Sequence, residues 1–276
     1  MHPSLVNKEN IKASCTSRFN SDDLQEAFFD SDKTYIHKTA ILGPDVTLEQ
    51  GVKIGPFCII IGNVKIGKNT KIYPNVSIGS TAQHVKINKP LGKIEIGKNC
   101  NIREFATIGS CASEEGQTII GDNCYIMSYS HIAHDVILEN NVILVNNTNL
   151  GGHTYIEKNA FLMANSATHQ FCRIGQFCAL AACSATAQDL PPFCMFNGLP
   201  AKFFGLNRVA LKRANFSNES INAIKHVAKL FYQDKLLLTD IKKILLNEYD
   251  LPWATDPNVQ AFIKFIENSK RGVSKK

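Results

Sequence analysis

No stretch of this 276-residue chain is long and apolar enough to cross a membrane. The longest unbroken apolar run, Phe177 to Cys183, holds seven residues, against about 18 for a spanning helix. A secretory signal is not expected either, since no apolar block follows Lys8 and Lys12. No C-x-x-C pair occurs among the nine cysteines, so a structural zinc or thioredoxin-type site lacks its usual spacing. Without an export signal, these cysteines read as reduced thiols of a cytoplasmic protein. The composition, 44% hydrophobic and 20% charged, is that of an ordinary folded protein. Membrane span, disulfide scaffold and disordered chain are thereby excluded.

Charge is scarce over most of the chain and concentrated at one end. Residues 201–276 carry 14 Lys/Arg against 7 Asp/Glu, a net +7; the first 200 carry 16 against 17, a net −1, and the sum is the overall +6. Such a field attracts anionic partners. No nucleic-acid motif accompanies it, so an anionic small molecule or an acidic carrier protein is the expected partner, against the plainer reading of solvated lysines on helices.

A period of six dominates the middle. Of the 26 positions reached by stepping six residues at a time from Ile36 to Thr186, 21 are Ile or Leu; His84, Pro90, Glu114, Thr168 and Thr186 are the exceptions. Two residues before each aliphatic stands a slim one, such as Val52, Cys58, Val64 and Thr70, and glycine often follows it, as at Gly67, Gly121 and Gly151, where it can ease a turn. Six suits neither the 3.6 period of a helix nor the 2 of a strand. It suits short strands with a corner every six residues, stacked as a parallel β-helix. Cys58, Cys100, Cys124, Cys172 and Cys178 occupy the slim inward position and read as packing residues.

The ends differ. Residues 1–33 form an extension without the repeat, with one short helix expected around Asp23–Phe29. The β-helix is expected over 34–204 and a small α-helical domain over 205–276. Helix signals there are Ser217 as a cap before Ile221, Ile224, Ala228 and Phe231, Thr239 ahead of a second helix, and Asp256-Pro257 opening a third.

With three edges to a coil, residues 18 apart stack one strand spacing, about 4.8 Å, from each other. His131, His134, Asp135, His153, His169 and Gln170 then fall within one five-residue arc on three successive coils, and Gly152 stacks directly beside His134. Such an imidazole column has two chemical uses. It can act as a general base near neutral pH, or it can supply ligands for zinc. An adjacent acid such as Asp135 can fix the tautomer of His134, although neighbours on a strand point opposite ways, so this depends on the corner.

The hexads, H-I-A-H-D at 131–135, Gly151-Gly152-His153, T-H-Q-F-C at 168–172, A-Q-D-L-P-P at 187–192 and G-L-x-R-x-x-L-K-R at 205–213 resemble the acyl-carrier-protein-dependent UDP-N-acetylglucosamine O-acyltransferase family over about residues 34–270. The resemblance implies a left-handed β-helix, a homotrimer with active sites between subunits, and transfer of an acyl chain, such as a 3-hydroxyacyl group, to the sugar 3-hydroxyl as the first step of lipid A synthesis in a Gram-negative type of bacterium. It implies His134 as general base, Asp135 as its partner and the Gly152 amide as oxyanion donor. Gln83, Lys86, His131, His153, His169, Gln170, Asn207 and Arg213 match substrate-contacting positions, and Ala182 the residue that closes the acyl groove. No metal or other cofactor is implied beyond the carrier thioester. Gly109 and His84 depart from the family's His and Asp, and Val209 and Ala214 from its Glu and Arg near the nucleotide. G-L-P-A-K at 198–202 also resembles coenzyme A-dependent acetyltransferases. Transfer to another nucleotide sugar or an amino sugar, a zinc hydratase of the γ-carbonic anhydrase kind and a catalytically silent scaffold are the alternatives.

Overall fold

The computed structural model describes residues 33–247 and 251–275; the helix expected around Asp23–Phe29 lies outside them. Each hexad folds as a short strand and a corner, and the strands collect into three sheets of ten, eight and seven strands. The first sheet starts at Tyr35–Ile36, the second at Ile41–Leu42 and the third at Val46–Leu48. Pairing is parallel with a register of 18 residues: Tyr35 lies against Lys53, Tyr125 against Ile143 and His131 against Asn149. The chain is therefore a parallel β-helix of triangular section. No helix among the described residues is long and apolar enough to cross a membrane.

The interior follows from the repeat. Ile54, Ile60, Ile66, Ile72 and Ile78 are fully buried, with Val52, Cys58, Val64 and Val76 filling the narrower positions. The five cysteines expected in the slim ladder are all buried and free. Two hydroxyls replace aliphatics without being stranded: Thr168 Oγ1 lies 3.2 Å from Thr154 Oγ1, and Thr186 Oγ1 donates to the Gln188 carbonyl at 2.7 Å. His84, Pro90 and Glu114 keep the six-residue phase for a different reason. Lys71 pairs with Asn101, 30 residues on, and Asn101 with Tyr125, 24 on. Subtracting one 18-residue coil leaves insertions of 12 and 6, both whole numbers of hexads. These three residues are exposed on the inserted loops and take no part in the core.

The corners correct one expectation. Of the glycines following the aliphatics, Gly79 alone has positive φ among those described. The left-handed residue comes two places later and is usually not glycine: Asn69, Asn99, Asn123, Asn141, Asn147, Asn159 and Asn165 occupy it, as do Asp135 and His153. Asparagine and aspartate tolerate this region because their short polar side chains bond locally. At most of the glycines that follow the aliphatic, close approach of a neighbouring coil leaves no room for a Cβ, Gly43 and Gly109 being the exceptions. A Cβ at Gly67 would lie 2.6 Å from the Gly97 carbonyl carbon of the next coil, so only a hydrogen fits.

After Cys194–Asn197 the chain reverses into Lys202–Leu206, an antiparallel strand. Among the described residues four helices follow, Arg208–Arg213, Asn218–Tyr232, Leu238–Asn247 and Pro257–Glu267. Ser217 caps the second through the Ser220 N–H, and Asp256 caps the fourth through Asn258 and Val259 N–H. The third starts at Leu238, so Thr239 lies inside its first turn rather than ahead of it. Beyond the fourth helix, Val273 bridges in parallel to Asp189.

Candidate active site

The edge where the second sheet passes into the third carries the histidines. Both inserted loops leave the β-helix at this edge, between Ser77–Ser80 and Lys93–Ile96 and between Thr107–Gly109 and Gln117–Ile120. One coil later the same edge holds Ala133 to Val136, and beyond it Gly151 to Thr154 and His169 to Cys172. The convergence read from the 18-residue arc is thus real, and the loops wall one side of it.

The doubt about His134 and Asp135 is settled by the corner. Asp135 has φ +57°, and this left-handed turn swings its carboxylate back onto its own neighbour. His134 Nδ1 stands 2.9 Å from Asp135 Oδ2. Asp135 Oδ2 also accepts from the Ala112 N–H at 3.0 Å, and the Asp135 N–H donates to Thr118 Oγ1 at 3.0 Å. A carboxylate can only accept, so Nδ1 carries the proton and Nε2 keeps its lone pair; the tautomer is assigned from these partners. The imidazole lies flat over Gly152, where a Cβ would come within 2.5 Å of His134 Cε1. Because Asp135 holds the ring, it cannot retreat, and residue 152 has to be glycine. The Gly152 amide donates no hydrogen bond among the described residues.

Around this centre, His153 lies with its ring centroid 5.0 Å from that of His134 and stacks on Phe171 at 4.6 Å. His131 opens the strand that runs into this corner, its Nδ1 2.8 Å from Thr107 Oγ1. Burial, helped by the neighbouring His134, holds its pKa below the usual histidine value. His169 Nδ1 is 3.1 Å from the Gln170 carbonyl, and both residues are exposed. Gln83 and Lys86 are exposed on the first inserted loop, which sets the His84 ring at right angles to His134, 6.1 Å away.

The other expected positions stand on different edges. Asn207 caps the first C-terminal helix and donates to the Phe177 carbonyl at 2.9 Å, at the corner between the third and first sheets. Together with Arg213, Val209 and Ala214 it lines a cavity of about 570 Å³ floored by Phe161, Met163 and Phe177. Ala182 is exposed at the remaining corner, between the first and second sheets. One chain therefore brings together the histidines, Asp135, Gly152 and Gln170, but not Asn207, Arg213 or Ala182. Thr118, Ala112 and Phe171 were not foreseen as supports. Thr118 was hidden among the slim core residues, and the Ala112 contact is made by backbone, which no side-chain pattern announces.

The chain can be set beside known proteins. Residues 189–274 match the profile of the second domain of UDP-N-acetylglucosamine O-acyltransferase, and residues 45–80 and 117–152 match bacterial transferase hexapeptide repeats. An acyl-[acyl-carrier-protein]–UDP-N-acetylglucosamine O-acyltransferase of Thermodesulfovibrio yellowstonii is 40% identical over 258 residues, covering 86% of this chain and 98% of that protein. The UDP-N-acetylglucosamine acyltransferase of Francisella novicida superposes with a TM-score of 0.75 at 32% identity, covering 87% of this chain and 94% of that one. Another crystal structure of a UDP-N-acetylglucosamine acyltransferase gives 0.78 at 33%, with 88% and 95% covered. The hand of the coil is that of these structures, left-handed. The chain belongs to the UDP-N-acetylglucosamine O-acyltransferase family.

Proposed function

We propose that this acyltransferase moves an acyl chain, such as a 3-hydroxyacyl group, from acyl carrier protein to the 3-hydroxyl of UDP-N-acetylglucosamine, the step that opens lipid A synthesis. The observation that carries the reading is the His134–Asp135 pair at 2.9 Å lying over Gly152. His134 Nε2 takes the proton of the sugar hydroxyl as its oxygen attacks the thioester carbonyl. The Gly152 N–H holds the developing oxyanion, worth roughly 10²–10³ in rate for donors of this kind. Collapse of the tetrahedral intermediate expels the carrier thiolate, which takes back the proton from His134. Asp135 stabilises the imidazolium between the two transfers. No cofactor enters these steps.

The working unit is a homotrimer. The expected substrate-binding groups lie on separate edges of one prism, and a threefold assembly can set the histidine edge of one subunit against the Asn207 and Arg213 cavity of the next. A cytoplasmic location is consistent with this chemistry and with eight described cysteines that are all free. The test is an acyl-transfer assay that scans acyl-carrier thioesters and coenzyme A thioesters against a panel of UDP-sugars, with products identified by mass. Transfer from a carrier thioester to UDP-N-acetylglucosamine is expected. Exclusive use of coenzyme A, or of another sugar, would move the chain to a different acceptor or donor.

A further inference from the structure

We propose that the catalytic edge also binds a divalent transition-metal ion such as Zn²⁺ through His134, Asp135 and His153, and that the bound ion switches the base off. Each of the three offers one ligand atom, and these atoms lie within 4.8 Å of one another. Asp135 Oδ2 is 2.9 Å from His134 Nδ1 and 3.7 Å from His153 Nε2. Ligands about 2.0–2.2 Å from a tetrahedral zinc stand roughly 3.3–3.6 Å apart, so the first pair has to open by about 0.4–0.7 Å and the second to close by about 0.1–0.4 Å. Two imidazoles and one carboxylate, with further positions open, form a donor set that suits zinc, cobalt and iron. Access is provided as well: the His153 side chain is 40% exposed, against 11% for His134 and 9% for Asp135. An ion can thus arrive on His153 from solvent and close onto the buried pair.

The effect on chemistry follows from the imidazole. A neutral ring has one nitrogen lone pair and one N–H. With Nδ1 donating to Asp135, the lone pair of Nε2 is free to accept the substrate proton. An ion on Nδ1 takes the lone pair of that nitrogen, so the ring proton moves through solvent to Nε2. No proton is gained or lost and no oxidant is needed, but the nitrogen facing the substrate is now a donor. Metal binding and general-base action therefore exclude each other. The inhibitory half rests on the acyltransferase reading; the binding half does not.

Cobalt(II) serves as the probe, titrated into the intact protein by calorimetry and visible absorption. One ion per chain is expected, with ligand-field bands of nitrogen and oxygen coordination and no thiolate charge-transfer band. Asp135→Asn and His153→Gln should each weaken binding at least about tenfold, some 1.4 kcal/mol. His169→Gln, on the same edge but outside the trio, should leave it unchanged. Zinc should inhibit acyl transfer at the concentration at which it binds, with recovery on chelation. Absence of saturable binding, a thiolate band, or equal affinity in wild type and both trio variants would overturn the site. Binding without inhibition would overturn the switch. Binding by a protein inactive with every donor would leave the site standing and remove the proposed activity instead.

Discussion

At the residue scale, the geometry turns on one φ angle. His134 and Asp135 are sequence neighbours and would point apart on a strand; the left-handed Asp135 brings Oδ2 to 2.9 Å from Nδ1. His134→Ala should therefore lower turnover at least about 10²-fold, as loss of a general base does, while thermal unfolding stays near wild type because the side chain lies outside the core ladder. Full activity in a folded variant would remove His134 from the mechanism. His131 makes a separate prediction. Burial lowers its pKa from the ordinary 6.5, so the unfolded chain binds more protons there at mildly acidic pH. This contribution to stability is fully present above about pH 6.5 and is lost as pH falls towards the lowered value. His131→Gln should flatten the melting temperature against pH in that window; an unchanged slope would count against this account.

At the scale of the element, the coil is held by what its corners omit. Gly67→Ala would drive a Cβ to 2.6 Å from backbone, and overpacking of this kind costs about 1–3 kcal/mol. At Gly205 a Cβ would meet nothing within 4 Å, so Gly205→Ala should leave the melting temperature almost unmoved. Equal shifts in the two variants would show that stacking distance is not what selects glycine. The strands were legible from the chain alone because Ile54, Ile60 and Ile66 repeat at a period that no helix or long strand shares. The glycine role was misread because a turn and a close approach ask for the same residue, and sequence does not tell which. The histidine cluster was legible because 18-residue stacking converts spacing into proximity. The Ala112 and Thr118 contacts to Asp135 were not, since they join an inserted loop and a core ladder whose meeting depends on corner geometry.

At the scale of the whole molecule, charge and surface are divided. The +7 of residues 201–276 against −1 elsewhere suits an acidic carrier protein. Raising salt should then raise the Michaelis constant of a carrier-linked donor far more than that of a neutral thioester analogue. Equal sensitivity would place the carrier elsewhere. Ala182 is small and exposed at its corner; if it closes the acyl groove, as the family resemblance implies, medium-to-long chains should be accepted. Ala182→Met should shift preference to shorter donors in graded steps, since a methylene in an apolar pocket discriminates by about 1–3 kcal/mol. An unchanged order of donors in an active variant would exclude residue 182 as the end of the groove.

The uniform register of 18 residues along the histidine-bearing coils also bears on how such a gene can change. Duplicating the coding sequence of one complete coil adds a layer without disturbing the pairing above or below it. Between His131 and Asn207, however, the added layer would split the histidine edge or lift it by about 4.8 Å relative to the helical domain. Ahead of the inserted loops it would displace neither. Length variation in descendants of this gene should accordingly accumulate in the amino-terminal coils, while the coil count from the histidines to the helices stays fixed.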